Sequence, residues 1–135
     1  MAPAQPTILV VDDDRPSREL IAAILTEAGY HVEGAADGAS ALGRIATDPP
    51  DVLLLDYAMP RMSGRDVLQR LQQMGMQHLP VIVLSASLHA ASCLAEGATL
   101  LVRKPFTLQE LCDAVAQCLP QDDAGCHTCT RTATA

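Results

Sequence analysis

DVLLLD, residues 51–56, is a short apolar run that begins after a proline pair and breaks off on an acid. A run of this kind, with no polar alternation, is expected of a parallel strand covered on both faces. ILVV before Asp12 and Asp13, VIVL before Ser85, and TLLV before Arg103 and Lys104 repeat the design. In each case the polar residue stands at the strand's carboxyl end, the edge of an open α/β sheet where ligands bind. Four strand ends therefore bring Asp12, Asp13, Asp56, Ser85 and Lys104 to one rim.

Between these runs the periodicity is helical. Pro16 suits a first helical turn, Leu20, Ile21, Ile24, Leu25 and Ala28 recur at helical spacing, and Gly29 ends the segment as a residue past the cap. A weaker strand is predicted at His31–Ala36. Asp37 then caps a helix to about Ala46, with Ala41, Leu42 and Ile45 inward. A loop over Tyr57–Gly64 leads to a helix from about Arg65 to Met74 with Val67, Leu68 and Leu71 inward, and a short Ala-rich helix is expected near His89–Ala95. The last helix runs from Thr107, as N-cap, to about Leu119, with Leu108, Leu111, Cys112 and Val115 on one face. Strands alternating with helices over short crossovers demand an α/β fold: a five-stranded parallel sheet sandwiched by five helices.

Three carboxylates converging at one rim repel one another, and such repulsion is tolerated where a cation neutralises it. Mg²⁺ suits the donor set, because it prefers oxygen ligands and is commonly held by one or two carboxylates plus a phosphate oxygen.

The acidic pair in ILVVDDD, the acid in LLLDYAMP with its following Gly64, the hydroxyl in VIVLSA, the turn at Gly97–Ala98 and the KPF triplet at 104–106 occur together and in this order. In these elements the chain resembles the receiver domain of response regulators in two-component signalling, a CheY-like domain, over roughly residues 6 to 119. The resemblance implies a flavodoxin-like strand order, 2-1-3-4-5. It implies that Asp13 and Asp56 bind Mg²⁺ directly, that Asp12 acts partly through water, and that the backbone carbonyl of Ala58 completes the protein's share. It further implies that Asp56 accepts a phosphoryl group from phosphohistidine on a sensor histidine kinase or histidine phosphotransfer protein. Lys104 and Ser85 then stabilise the transferred group, and Lys104–Pro105 is a cis peptide. Ser85 also reports the phosphate, reshaping the face made by the expected fourth helix, fifth strand and fifth helix, where a downstream protein or a second copy of the chain binds.

Composition narrows the classes. At 135 residues there is room for one folded domain of ordinary size, read as 7–119 between a leader at 1–6 and a flexible tail at 120–135. Aromatics are 2% of residues, so Leu, Ile, Val, Ala and Met must build the core. A net charge of -7 with no basic run argues against direct nucleic-acid binding, and no segment approaches the roughly 20 apolar residues that span a bilayer. A cytoplasmic protein is expected. Of the five cysteines, Cys93, Cys112 and Cys118 fall in helical patterns and read as packing, while Cys126, His127 and Cys129 form a CHTC tail, a weak signal for a metal or redox site because the single CxxC has no second ligand pair.

Three positions depart from the family's pattern. Ala58 and Ser87 offer little to orient an attacking water, so a modest rate of self-dephosphorylation is expected. Leu101 replaces an aromatic that many receivers couple to the hydroxyl at the end of the fourth strand, so output is expected through backbone shifts or self-association. Other functions are less well supported. A phosphohydrolase of the haloacid-dehalogenase kind needs a second Asp two residues after its nucleophile, and that position is Ala58. A degenerate receiver acting as a scaffold would have lost signature residues that are all present. The chain is read as a signalling switch rather than an enzyme.

Overall fold

The computed structural model describes residues 5–59, 61–76, 78–86, 94 and 97–119. Among them are five strands, β1 Thr7–Val11, β2 His31–Ala35, β3 Val52–Asp56, β4 Val81–Ser85 and β5 Leu100–Arg103. Four helices accompany them: α1 Arg15–Glu27, α2 Gly38–Thr47, α3 Gly64–Gln73 and α4 Leu108–Cys118. The strands form one sheet in the order β2-β1-β3-β4-β5, and every neighbouring pair is parallel. The helix expected near His89–Ala95 lies, but for Leu94, outside the described residues, as do Ser87, Cys93 and the CHTC tail.

Period-two alternation explains why the inner strands carry no polar face. Leu9, Val11, Leu53, Leu55, Val81 and Val83 turn to one side of the sheet, into the cluster completed by Ala41, Ile45, Val67, Leu68 and Leu71 of α2 and α3. Ile8, Val10, Val52, Leu54, Ile82 and Leu84 turn to the other, against Ile21 and Leu25 of α1 and Leu111, Ala114 and Val115 of α4. Both faces are roofed by helices, so β3 is buried along its whole length.

The caps fix where each helix begins. Asp14, Asp37, Ser63 and Thr107 each accept a backbone N–H through the side chain, and the pairs Ser63/Asp66 and Thr107/Glu110 form reciprocal capping boxes. Gly29, at φ 104, ends α1 as expected.

Two apolar positions differ from the helical patterns that suggested them. Leu20 on α1 and Leu108 on α4 are 62% and 61% exposed. Leu108 is the first residue of its helix, at the rim where β5 has already ended, and Leu111, one turn on, is the first to reach the core. Leu20 flanks the buried stripe of Ile21 and Leu25, about 100° around the helix from Ile21, and so falls outside it. Cys112 and Cys118 are half-buried free thiols, which fits their reading as packing residues.

Candidate functional site

The carboxyl ends of β1 and β3 are neighbours, because β1 pairs with β3 from Ile8 opposite Val52 to Val11 opposite Leu55. The residues that continue those strands therefore meet. Carboxylate oxygens of Asp12, Asp13 and Asp56 all lie within 4.8 Å of one another. Asp12 and Asp56 are buried and Asp13 is exposed, so the cluster has a floor and one open side.

The rest of the rim closes around Asp56. Lys104 Nζ donates to Asp56 Oδ1 at 2.8 Å, from a side chain that is 33% exposed to one that is 7% exposed. Its backbone N–H donates to the carbonyl of Ser85 at 2.9 Å, which ties β5's exit to the end of β4. Ser85 is buried, and Lys104–Pro105 is cis. Ala58 is exposed in the loop after β3. Leu101 is half-buried against the α2/α3 side of the sheet.

The acidic triplet divides its work. Asp14 caps α1, its carboxylate accepting from the Ser17 N–H at 3.1 Å, and that hydrogen bond with Ser17 holds its carboxyl below the ordinary aspartate value. Asp12 accepts the Asp14 N–H on Oδ1 at 2.9 Å. Its other oxygen, Oδ2, is buried with no hydrogen-bond partner. An orphaned carboxylate oxygen costs desolvation energy unless something positive meets it. Burial pushes the Asp56 carboxyl above its ordinary value, Lys104 opposes that shift, and the Asp12 and Asp13 charges add to it. Among the described residues, the one ammonium bonded in this cluster is that of Lys104, and its bond is to Asp56. The buried orphan oxygen, the uncompensated negative charge and the all-oxygen donor set together fit a divalent cation, with Asp12, Asp13 and Asp56 as the residues able to hold it.

The loop over 57–64 is held down by the Gly64 N–H donating to the Tyr57 carbonyl at 2.9 Å. A Cβ at Gly64 would stand 3.0 Å from Tyr57 Cα, and backbone cannot yield as a flexible side chain can. Gly64→Ala is expected to cost about 1–3 kcal/mol by overpacking, read as a lower denaturation midpoint at unchanged m.

All five rim residues proposed from sequence stand at the strand ends predicted for them. Sequence reading missed the Ser63/Asp66 capping box, whose spacing would have revealed it. It also missed Arg18, which donates to the Asp12 carbonyl and for which no local pattern gives a signal.

Residues 8–116 match the family described as the response regulator receiver domain. The response regulator MprA of Mycobacterium avium is 44% identical over 124 residues, covering 87% of this chain and 54% of that protein. MprA of Mycobacterium tuberculosis is 46% identical over 107 residues, covering 77% and 46%. The chain thus spans about half the length of the curated relatives it matches. Among solved structures, the Vibrio cholerae chemotaxis protein CheY4 superposes with a TM-score of 0.80 at 31% identity, covering 86% of this chain and 100% of that one. A Francisella response regulator receiver domain gives 0.79 at 33% identity, covering 84% and 96%. A family match across most of the chain, joined by relatives of 44% identity and by close superposition on solved structures, leaves one conclusion: the chain belongs to the response regulator receiver domain family of two-component signalling.

Proposed function

We propose that the chain is a Mg²⁺-dependent phosphoacceptor switch, with Asp56 as the residue modified. The observation that carries this reading is the buried Asp56 carboxylate grouped with two further carboxylates, Asp12 and Asp13, and bonded to a lysine, all at the ligand-binding edge of the sheet. Asp12, Asp13 and Asp56 would hold the ion, with the Ala58 carbonyl as a further oxygen donor. When bound, Mg²⁺ supplies positive charge to the phosphoryl oxygens.

Asp56 Oδ attacks the phosphorus of a phosphohistidine on a sensor kinase or phosphotransfer protein. The P–O bond forms as the P–N bond breaks, the electron pair returns to the imidazole nitrogen, and that nitrogen takes a proton from solvent. Lys104 Nζ, already 2.8 Å from Asp56, offers its remaining protons to the incoming oxygens, and Ser85 stands ready at the next strand end. Phosphoryl transfer asks chiefly for such alignment and charge neutralisation. Partners downstream are proteins, met through the β5/α4 side or by self-association. The charge of -7 gives this domain no electrostatic footprint for nucleic acid, and no helix among the described residues is long and apolar enough to cross a membrane.

Incubation with a small phosphodonor is expected to add one PO₃ group to the intact chain in the presence of Mg²⁺ and none with excess chelator, as read by mass spectrometry. Steady release of phosphate from a phosphomonoester, without a stable adduct, would instead favour a phosphohydrolase.

A further inference from the structure

The acidic turn after β1 is held from outside its own strand. Arg18, in the first turns of α1, reaches back so that its Nη1 donates to the carbonyl oxygen of Asp12 at 2.8 Å. The stem of the same side chain crosses β2 at Gly34. There a Cβ would stand 3.1 Å from Arg18 Cδ, 3.3 Å from Cγ and 3.4 Å from Nε. Gly34 does not have a positive φ and lies in an edge strand, where glycine is a poor choice on propensity alone. Close approach of the arginine accounts for it.

We propose that Arg18, seated on Gly34, is a positioning residue for the carboxylates of the cation site. The inference rests on the reading of that site as one for Mg²⁺. The Asp12 carbonyl, fixed by Arg18, sets the peptide plane that leads into Asp13. The Asp14 N–H, one residue on, fixes Asp12 Oδ1 at 2.9 Å and leaves the buried Oδ2 unpartnered. Two donors, one on the carbonyl and one on the carboxylate, thus aim Asp12 while Asp13 is carried between them. Arginine suits the task because its planar fork stays charged and loses little freedom per bond formed.

Two variants remove the contact by different routes. Arg18→Met keeps an apolar stem and deletes the donors. Gly34→Val keeps the arginine and takes away its seat, while placing a better strand former in β2. Both are expected to weaken Mg²⁺ binding by about 10-fold, as outer-shell partners of metal ligands do when lost. Both should also speed hydrogen exchange of the Asp14 amide in metal-free protein. Gly34→Val should do so without lowering the thermal midpoint, a combination that a merely structural role for Arg18 would not give. The double variant should be no worse than either single one. Gly34→Ala, whose Cβ alone meets the arginine stem, serves in place of valine if the larger side chain disturbs the strand. Unchanged Mg²⁺ affinity with unchanged Asp14 exchange would overturn the proposal. So would tighter Mg²⁺ binding in Arg18→Met, which would make the guanidinium a competing cation. Wild-type protein indifferent to Mg²⁺ would remove the metal reading, and the Asp14 exchange rates would still decide whether Arg18 orders the turn.

Discussion

Asp56→Asn is expected to abolish phosphoryl acceptance while making the metal-free protein more stable at neutral pH. The first effect follows from chemistry, since an amide oxygen is a poor nucleophile and its adduct would not persist. The second follows from electrostatics. Burial raises the Asp56 carboxyl above its ordinary value, Lys104 only partly opposes the shift, and Asp12 and Asp13 reinforce it. A group raised in this way binds more protons in the folded state than in the unfolded one across the window between its two values. The stability associated with the neutral carboxyl is fully present in acid, below the unfolded value, and is lost as pH rises through the raised native value. At neutral pH the ionised Asp56 is therefore a cost to the metal-free fold, and asparagine removes it. Thermal unfolding with chelator should show a higher midpoint for Asp56→Asn at neutral pH, and the advantage should shrink on acidification.

Added Mg²⁺ should reverse the ranking. An ion that binds only the folded state stabilises it by RT ln(1 + [Mg²⁺]/Kd), about 1.4 kcal/mol at ten times Kd. Wild type, with three carboxylates, should gain this in full, and Asp56→Asn, with two, should gain less at the same concentration. A variant that is destabilised without metal, or that gains as much from Mg²⁺ as wild type, would show that the three acids do not share one ion.

The architecture was legible because buried parallel strands write themselves as bare apolar runs. VLLL and VIVL have no polar alternation to mislead, and each ends on the residue that matters. The convergence of Asp12, Asp13, Asp56 and Lys104 was legible for the same reason, since strand ends of one parallel sheet share an edge. Strand order was not, because alternating strands and helices fit several doubly wound arrangements, and only the family resemblance chose among them. Leu20 and Leu108 misled because a helical repeat records spacing but not how wide the buried stripe is or at which turn it begins. Arg18 was invisible for a third reason. Its partners are a backbone carbonyl six residues earlier and a glycine sixteen residues later, and neither leaves a mark in local composition.

Lys104→Met should lower both the rate of phosphorylation and the stability of the metal-free protein, and the two losses should separate on addition of a second substitution. The ammonium is the one cation bonded to Asp56 among the described residues, at 2.8 Å, and it is the chain's single lysine. Its removal leaves a carboxylate with a 7% exposed side chain beside two others. Breaking a fully buried pair costs about 3–5 kcal/mol. Lys104 is a third exposed, so water screens part of the interaction and about 2 kcal/mol is the better expectation. The loss should be greatest at neutral pH and should shrink as acid protonates Asp56, because Lys104 is what opposes the upward shift of that group. Phosphorylation by a small donor should slow by about 10²-fold, the usual effect of deleting one preorganised donor to a developing anion. Combining Lys104→Met with Asp56→Asn should recover most of the lost stability and none of the activity, since with no charge on residue 56 there is nothing left for the ammonium to balance. Additive stability effects in that cycle would mean that Lys104 supports the fold through its packing rather than through Asp56.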